Sequence, residues 1–188
     1  MPKESEFVAI ALVAAEKILA PPLCVRRGAA LLYQVTVNNE LELTVNPKRA
    51  VRGNSAFETD LCIFDEKRPD LFIPRVVMEF KGRITTHDVL TYSAKARKHK
   101  QVYPYLRYGI VCSGESRVPG RVFTHNEALD FCAALADYGD ARLSGFLERL
   151  IGQEVECSRR LEEIAFGKQR TRLFRTDVIV EKVEPETA

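Results

Sequence analysis

The sequence predicts an α/β fold in which a mixed central β-sheet is flanked by helices. Three observations predict it. Short apolar runs bounded by turn residues recur at 57–64, 71–81 and 107–113, as strands do. A capped helical pattern over 86–101 joins the last two runs, which makes a strand–helix–strand unit. Further helical patterns at 5–20 and 141–166 flank the strands in the chain.

Taken in order, Ser5 can cap a first helix that runs to about residue 20, where Pro21-Pro22 stops it. Residues 27–37 and 40–45 read as strands joined across Asn38-Asn39, a tight-turn pair. The stretch 46–55 is polar, contains Pro47 and Gly53, and reads as a loop. Strand 57–64 is followed by the polar, proline-containing stretch 65–70, then by strand 71–81, β-branched around Val76-Val77 and ended by Gly82. Thr85 or Thr86 caps the next helix, and Asp88 in its first turn complements the helix dipole. The apolar run 107–113 suits a strand covered on both faces. Beyond it the pattern predicts a short strand at 121–123, a helix at 126–136, one long or two broken helices over 141–166, and a late strand at 172–180. The whole reads as one domain, with a core of about 5–125 and a C-terminal extension of about 126–188.

Composition sets bounds on function. A chain of 188 residues with 46% hydrophobic and 29% charged residues can bury a core without disulfides or a structural metal. Its five cysteines are scattered, with neither a Cys-x-x-Cys pair nor zinc-finger spacing, so they read as reduced thiols of a reducing compartment. The apolar run 7–15 is preceded by Glu4 and Glu6, against the positive flank of a signal peptide, and is too short to span a bilayer. The expectation is a cytoplasmic protein without a membrane partner. A formal net charge of +2 means that any nucleic-acid-binding surface must be a local one.

The informative stretch is Glu58-Thr59-Asp60-Leu61-Cys62-Ile63-Phe64 followed by Val76-Val77-Met78-Glu79-Phe80-Lys81-Gly82. Residues two apart on a strand share a face, so Glu79 and Lys81 project together while Phe80 turns away. An antiparallel pairing of the two strands brings Asp60 beside Glu79. Glu79 lies in an otherwise apolar run, where a carboxylate is costly to bury without a partner or a metal. Hard cations such as Mg²⁺ accept two carboxylates and complete their shell with water and phosphate oxygen. The cation acidifies a bound water, and a nearby lysine stabilises charge developing on the phosphate. The plainer alternative for Glu-x-Lys is a surface ion pair on a half-solvated sheet.

These residues resemble the PD-(D/E)XK nuclease superfamily, to which type II restriction enzymes, Holliday-junction resolvases and RecB-type nucleases belong. The resemblance covers about the first two-thirds of the chain in element order: helix, three strands, helix, strand. It implies a restriction-endonuclease-like core with Asp60 as the first acid and Glu79-Phe80-Lys81 as the (D/E)-x-K element. Asp60, Glu79 and the carbonyl of Phe80 would then hold Mg²⁺, with Mn²⁺ able to substitute. Thr59 stands where the eponymous proline would be. The implied activity is cleavage of DNA to 5′-phosphate ends, as in a small type II restriction enzyme. The implied assembly is a homodimer that cuts two strands with two sites.

Glu16 is a further candidate for the catalytic set: it either faces the site, as a first-helix glutamate does in several members of that family, or turns to solvent like Lys17. Glu58 replaces Asp60 as a ligand if the strand register differs by two. Gln101 and Tyr105 match a Gln-x-x-x-Tyr element of RecB-type nucleases, although Pro104 interrupts it. Lys95, Arg97, Lys98 and Lys100 near the end of the helix either pair with its dipole or form a phosphate-contacting ridge. Lys168, Arg170, Arg172 and Arg175 form a second basic group that could face DNA or a partner subunit. Two other readings stay open: a non-catalytic DNA-binding or assembly subunit, and a nuclease acting on RNA or branched DNA.

Overall fold

A computed structural model describes residues 4–53, 55–168 and 170–181. Asn54 of the polar loop and the end of the expected extension, 182–188, lie outside the described residues. Helix α1 (Glu4–Ile18) buries Phe7, Val8, Ala11, Ala14 and Ala15, an apolar stripe at helical spacing, with Glu4 and Glu6 at its positive end. Strand β1 (Leu23–Arg27) follows. Gly28, at φ 64°, turns the chain out of the sheet into β2 (Ala30–Leu32). The strand expected at 27–37 is therefore cut at its start.

Among the described residues β2 pairs only with β3 (Ala56–Glu58), forming a two-stranded ribbon beside the main sheet. The strand expected at 57–64 is also divided, because Thr59 and Asp60 carry the chain from that ribbon into the main sheet. There β4 (Leu61–Arg68) runs on through Asp65, which the polarity of 65–70 had assigned to a loop. β5 (Leu71–Lys81) returns antiparallel to it, and the last regular pair of the ladder is Leu61 with Met78.

Thr85 caps α2 (Thr86–Val102) with a full capping box: its hydroxyl accepts from the Asp88 amide while the Asp88 carboxylate accepts from the Thr85 amide. The helix carries the chain to β6 (Arg107–Cys112), parallel to β5. A short helix, α3 (Gly120–His125), then leads to β7 (Phe131–Ala134), parallel to β6. α3 replaces the strand expected at 121–123, and β7 replaces the helix expected at 126–136. The Asn126 side chain accounts for the second reversal. Its Oδ1 accepts from the amides of Ala128 and Leu129 and its Nδ2 donates to the Leu129 carbonyl, bonds that hold a turn in place of a helical one. Gly109 makes room for the new strand, since a Cβ there would lie 2.3 Å from the Phe131 ring.

The architecture is thus α/β, a mixed five-stranded sheet in the order β1-β4-β5-β6-β7 flanked by helices. α4 (Asp140–Phe166) is one unbroken helix. Its Leu143, Leu147, Ile151 and Val155 share a hydrophobic cluster with α1 and with Val76, Met78 and Phe80 of β5. The expected C-terminal extension is therefore built into the core as far as α4. The opposite face packs Cys62, Val77, Tyr108 and Ile110 against Val89 and Ala96 of α2. The strand expected at 172–180 has no regular structure, and its Leu173, Phe174 and Val178 are exposed. No described helix is long and apolar enough to cross a membrane.

Charge is also buried at the far end of β4 and β5, where Arg75 is 0% exposed. Arg75 contacts Asp65 at 3.3 Å and Glu162 of α4 at 2.6 Å, and Arg159 reaches the same Asp65 oxygen at 3.1 Å. Removing one member of such a network strands the others in a medium of low polarity. Asp65→Ala should therefore cost about 3–5 kcal/mol in urea unfolding. The apolar double substitution Asp65→Leu/Arg75→Met should cost less than Asp65→Ala alone. Equal or greater loss in the double variant would contradict this view of the network.

Candidate active site

The site forms where the β4–β5 ladder ends. One residue beyond the Leu61–Met78 pair the Gly28 amide donates to the Asp60 carbonyl at 3.2 Å, so the Asp60 main chain follows β1 rather than β5. The Asp60 side chain bridges the opening: its Oδ2 accepts from the Phe80 amide at 2.8 Å. Alternation along β5 then does what the sequence predicts. Phe80 turns to the α1–α4 face and meets Phe7 edge-on, with ring centroids 5.6 Å apart. Glu79 and Lys81 turn to the α2 face.

Glu79 is 2% exposed. Tyr108, which stands opposite Val77 on β6 and is itself buried, reaches diagonally to donate its hydroxyl to Glu79 Oε1, and Lys95 of α2 stands 4.0 Å from the same oxygen. Burial pushes the Glu79 carboxyl up to about 7, with Lys95 and the Tyr108 hydroxyl opposing it and the charge and hydrogen bond of neighbouring Asp60 reinforcing it. Glu79 thus keeps its proton into the neutral range beside the Asp60 carboxyl.

Lys81 rests with its ammonium 5.4 Å from the Tyr92 ring centroid and donates to Glu4 Oε1 at 2.8 Å. Burial works against its charge, but the hydrogen bonds to Glu4 and Tyr92 prevail and hold it above the ordinary lysine range. It is a fixed cation at neutral pH. His99, beneath Tyr108, is held neutral: burial brings it down to about 4, although its Nδ1 donates to the Leu32 carbonyl at 2.9 Å.

The structure therefore brings together Asp60, Glu79, Lys81, Lys95 and the Phe80 main chain. It does not bring Glu16, which is exposed on α1. The α1 carboxylate that reaches Lys81 is Glu4, about 18 Å away along the helix at 1.5 Å per residue. Glu58 stays on the ribbon and pairs with Arg52 at 3.3 Å. Tyr105 lies near Arg75 at the far end of the sheet and Gln101 is exposed, so that motif does not assemble at the site.

The basic ridge also divides. Lys95 faces Glu79 and Lys98 stands over the Tyr33 ring, whereas Arg97 pairs with Glu127 and Lys100 with Asp130. Positions 95 and 98 share one side of α2, and 97 and 100 share another. Tyr92, Tyr108 and Glu4 are the residues that the sequence reading lacked. Tyr108 carried a signal, because a tyrosine in a strand covered on both faces needs a partner for its hydroxyl.

Asp60, Glu79 and the Phe80 carbonyl could hold a divalent cation. Among the described residues no group of three or more His, Cys, Asp or Glu side chains has a metal-binding arrangement. A cation here would draw on two carboxylates, one main-chain oxygen and water, the donor set that Mg²⁺ accepts. No protein-family model matches the chain, and no curated protein matches it.

The Glu79 shift predicts the pH dependence of folding in the metal-free protein. A carboxyl at about 7 when folded and about 4.5 when unfolded binds more protons in the folded state, so stability falls as pH rises between those values. The loss should reach about 3 kcal/mol. Glu79→Gln keeps an acceptor for Tyr108 and should flatten the slope in chemical denaturation with EDTA present. Parallel profiles for wild type and variant would contradict the assignment.

Proposed function

We propose that this chain is a metal-dependent DNA endonuclease of the PD-(D/E)XK type. The observation that carries the reading is the meeting of Asp60 and Glu79 at the open end of β4 and β5, with Lys81 on the same face two residues on. The order α1-β1-β4-β5-α2-β6 supports a restriction-endonuclease-like core, with the β2–β3 ribbon as an insertion.

Asp60, Glu79 and the Phe80 carbonyl are the ligands in this reading, and Mg²⁺ is the cation, with Mn²⁺ as a substitute. A cation so held supplies an acidified water and offsets charge on the scissile phosphate. The Phe80 amide aims Asp60, and the Tyr108 hydroxyl aims Glu79. Lys81 contributes a compact positive charge to the attacking water and the phosphate, exchanging Glu4 for the substrate anion. Lys95, beside Glu79, draws the phosphate toward the pair.

Cleavage of both strands by one site per chain favours a homodimer, since closed two-fold assembly is the commonest way to present two sites. The exposed Leu173, Phe174 and Val178 support the C-terminal segment as its contact. All five cysteines are free thiols, which supports a cytoplasmic, reducing setting. The Lys81–Glu4 pair favours the alternative of a non-catalytic DNA-binding or assembly subunit, because it occupies the lysine.

Cleavage of plasmid DNA in Mg²⁺, absent in EDTA, separates the two. Lys81→Ala should lower turnover about 10²–10³-fold while sparing the fold. Lys81→Arg should not restore it, because a guanidinium fork cannot replace a compact ammonium. Glu79→Ala should be at least as damaging. Full activity in purified Lys81→Ala would falsify the catalytic role. Sedimentation should also show a dimer, alone or on DNA; a monomer under every condition would point to a nicking or processing enzyme.

A further inference from the structure

We infer that the cleft beside Asp60 seats an unpaired nucleotide of a DNA strand, so that the substrate presents single-stranded DNA to the carboxylates. This rests on the nuclease reading and narrows its substrate. A hollow of about 420 Å³ is lined by Asp60 together with Arg52, Phe57 and Lys95. That volume lies within the ~300–1,000 Å³ of sites that take small organic groups.

Aromatic rings run from the carboxyl pair to Phe57, which lines this hollow, and on to Tyr33 beside it. Tyr108, bonded to Glu79, stacks on His99 with centroids 5.7 Å apart, and Phe57 meets His99 edge-on at 5.9 Å. Tyr33 then stacks on Phe57 at 4.0 Å. Lysines follow the rings, with Lys95 5.8 Å from the Phe57 centroid and Lys98 5.3 Å from that of Tyr33. Tyr33 and Phe57 are half-buried, and the Arg52 side chain is 79% exposed.

Half-exposed rings beside lysine and arginine are how proteins hold unpaired bases, the ring taking the base and the cation the phosphate. A base inside a duplex has both faces covered by its neighbours, so such a surface discriminates by strandedness. The same rings also pack the ribbon onto α2, and a purely structural role would leave strand preference unchanged.

Fluorescence anisotropy in EDTA decides between them. The probes are one labelled DNA strand, that strand annealed to its complement, and an RNA strand of the same sequence. The wild type should bind the DNA strand about tenfold or more tightly than the duplex. Tyr33→Leu, and independently the exposed Lys98→Ala, should each weaken single-strand binding by about fivefold or more. Lys98→Ala should leave the melting temperature and duplex binding little changed, and Tyr33→Phe should keep the wild-type strand preference that Tyr33→Leu loses. Equal affinity for strand and duplex, or unchanged strand binding in both Tyr33→Leu and Lys98→Ala, overturns the inference. Tighter binding of RNA overturns its choice of DNA. Strand binding by a protein that never cleaves sinks the nuclease reading alone; cleavage with a duplex preference sinks this inference alone.

Discussion

The hydrogen bond from the Phe80 amide to the Asp60 carboxylate is the constraint on which the site depends. A strand pair that simply continued past Leu61–Met78 would satisfy the Phe80 amide with a main-chain carbonyl and leave no opening. Here the chain at Thr59-Asp60 crosses from the ribbon to the main sheet, and a side chain takes over the missing ladder bond. A carboxylate is the stronger acceptor, since charge-assisted bonds exceed neutral ones. The same bond fixes Asp60 next to Glu79, which alternation along β5 has already turned toward α2.

The electrostatics follow from that placement. Two carboxyls are brought together where one is almost wholly removed from water, and burial is the dominant influence on Glu79. Lys95 and the Tyr108 hydroxyl oppose it without overcoming it. Lys81, by contrast, keeps its charge because Glu4 and Tyr92 outweigh burial. The result is a buried carboxyl that holds its proton into the neutral range beside a permanent cation. A divalent ion held between the two carboxyls would relieve their repulsion.

Much of this was legible in the sequence. The alternation Glu79-Phe80-Lys81 placed two side chains on one face, and the capping residues of α2 marked its start. What was not legible depended on distant partners. Thr59-Asp60 is a junction only because Gly28 turns β1 away to form the ribbon. Asp65 looks like a loop residue until Arg75 and Arg159 are brought to it. The segment 126–136 has helical composition, but Asn126 forms local bonds and Gly109 opens a slot for Phe131. On α1, the apolar neighbours of Glu16 left it open whether that residue faces the site or solvent, whereas it is the helix's first turn that lies beside Lys81. The cationic run 95–100 could not be divided from spacing alone, because Glu127 and Asp130 come from beyond the next strand.

Isothermal titration of the metal-free protein with Mn²⁺ at neutral pH tests the central claim most directly. The account predicts one cation per chain, lost on Asp60→Asn and on Glu79→Gln. Lys81→Ala, which removes charge from beside the pair and no ligand, should keep it. Undiminished binding in both carboxylate variants, or none in a well-folded wild type, would contradict the account.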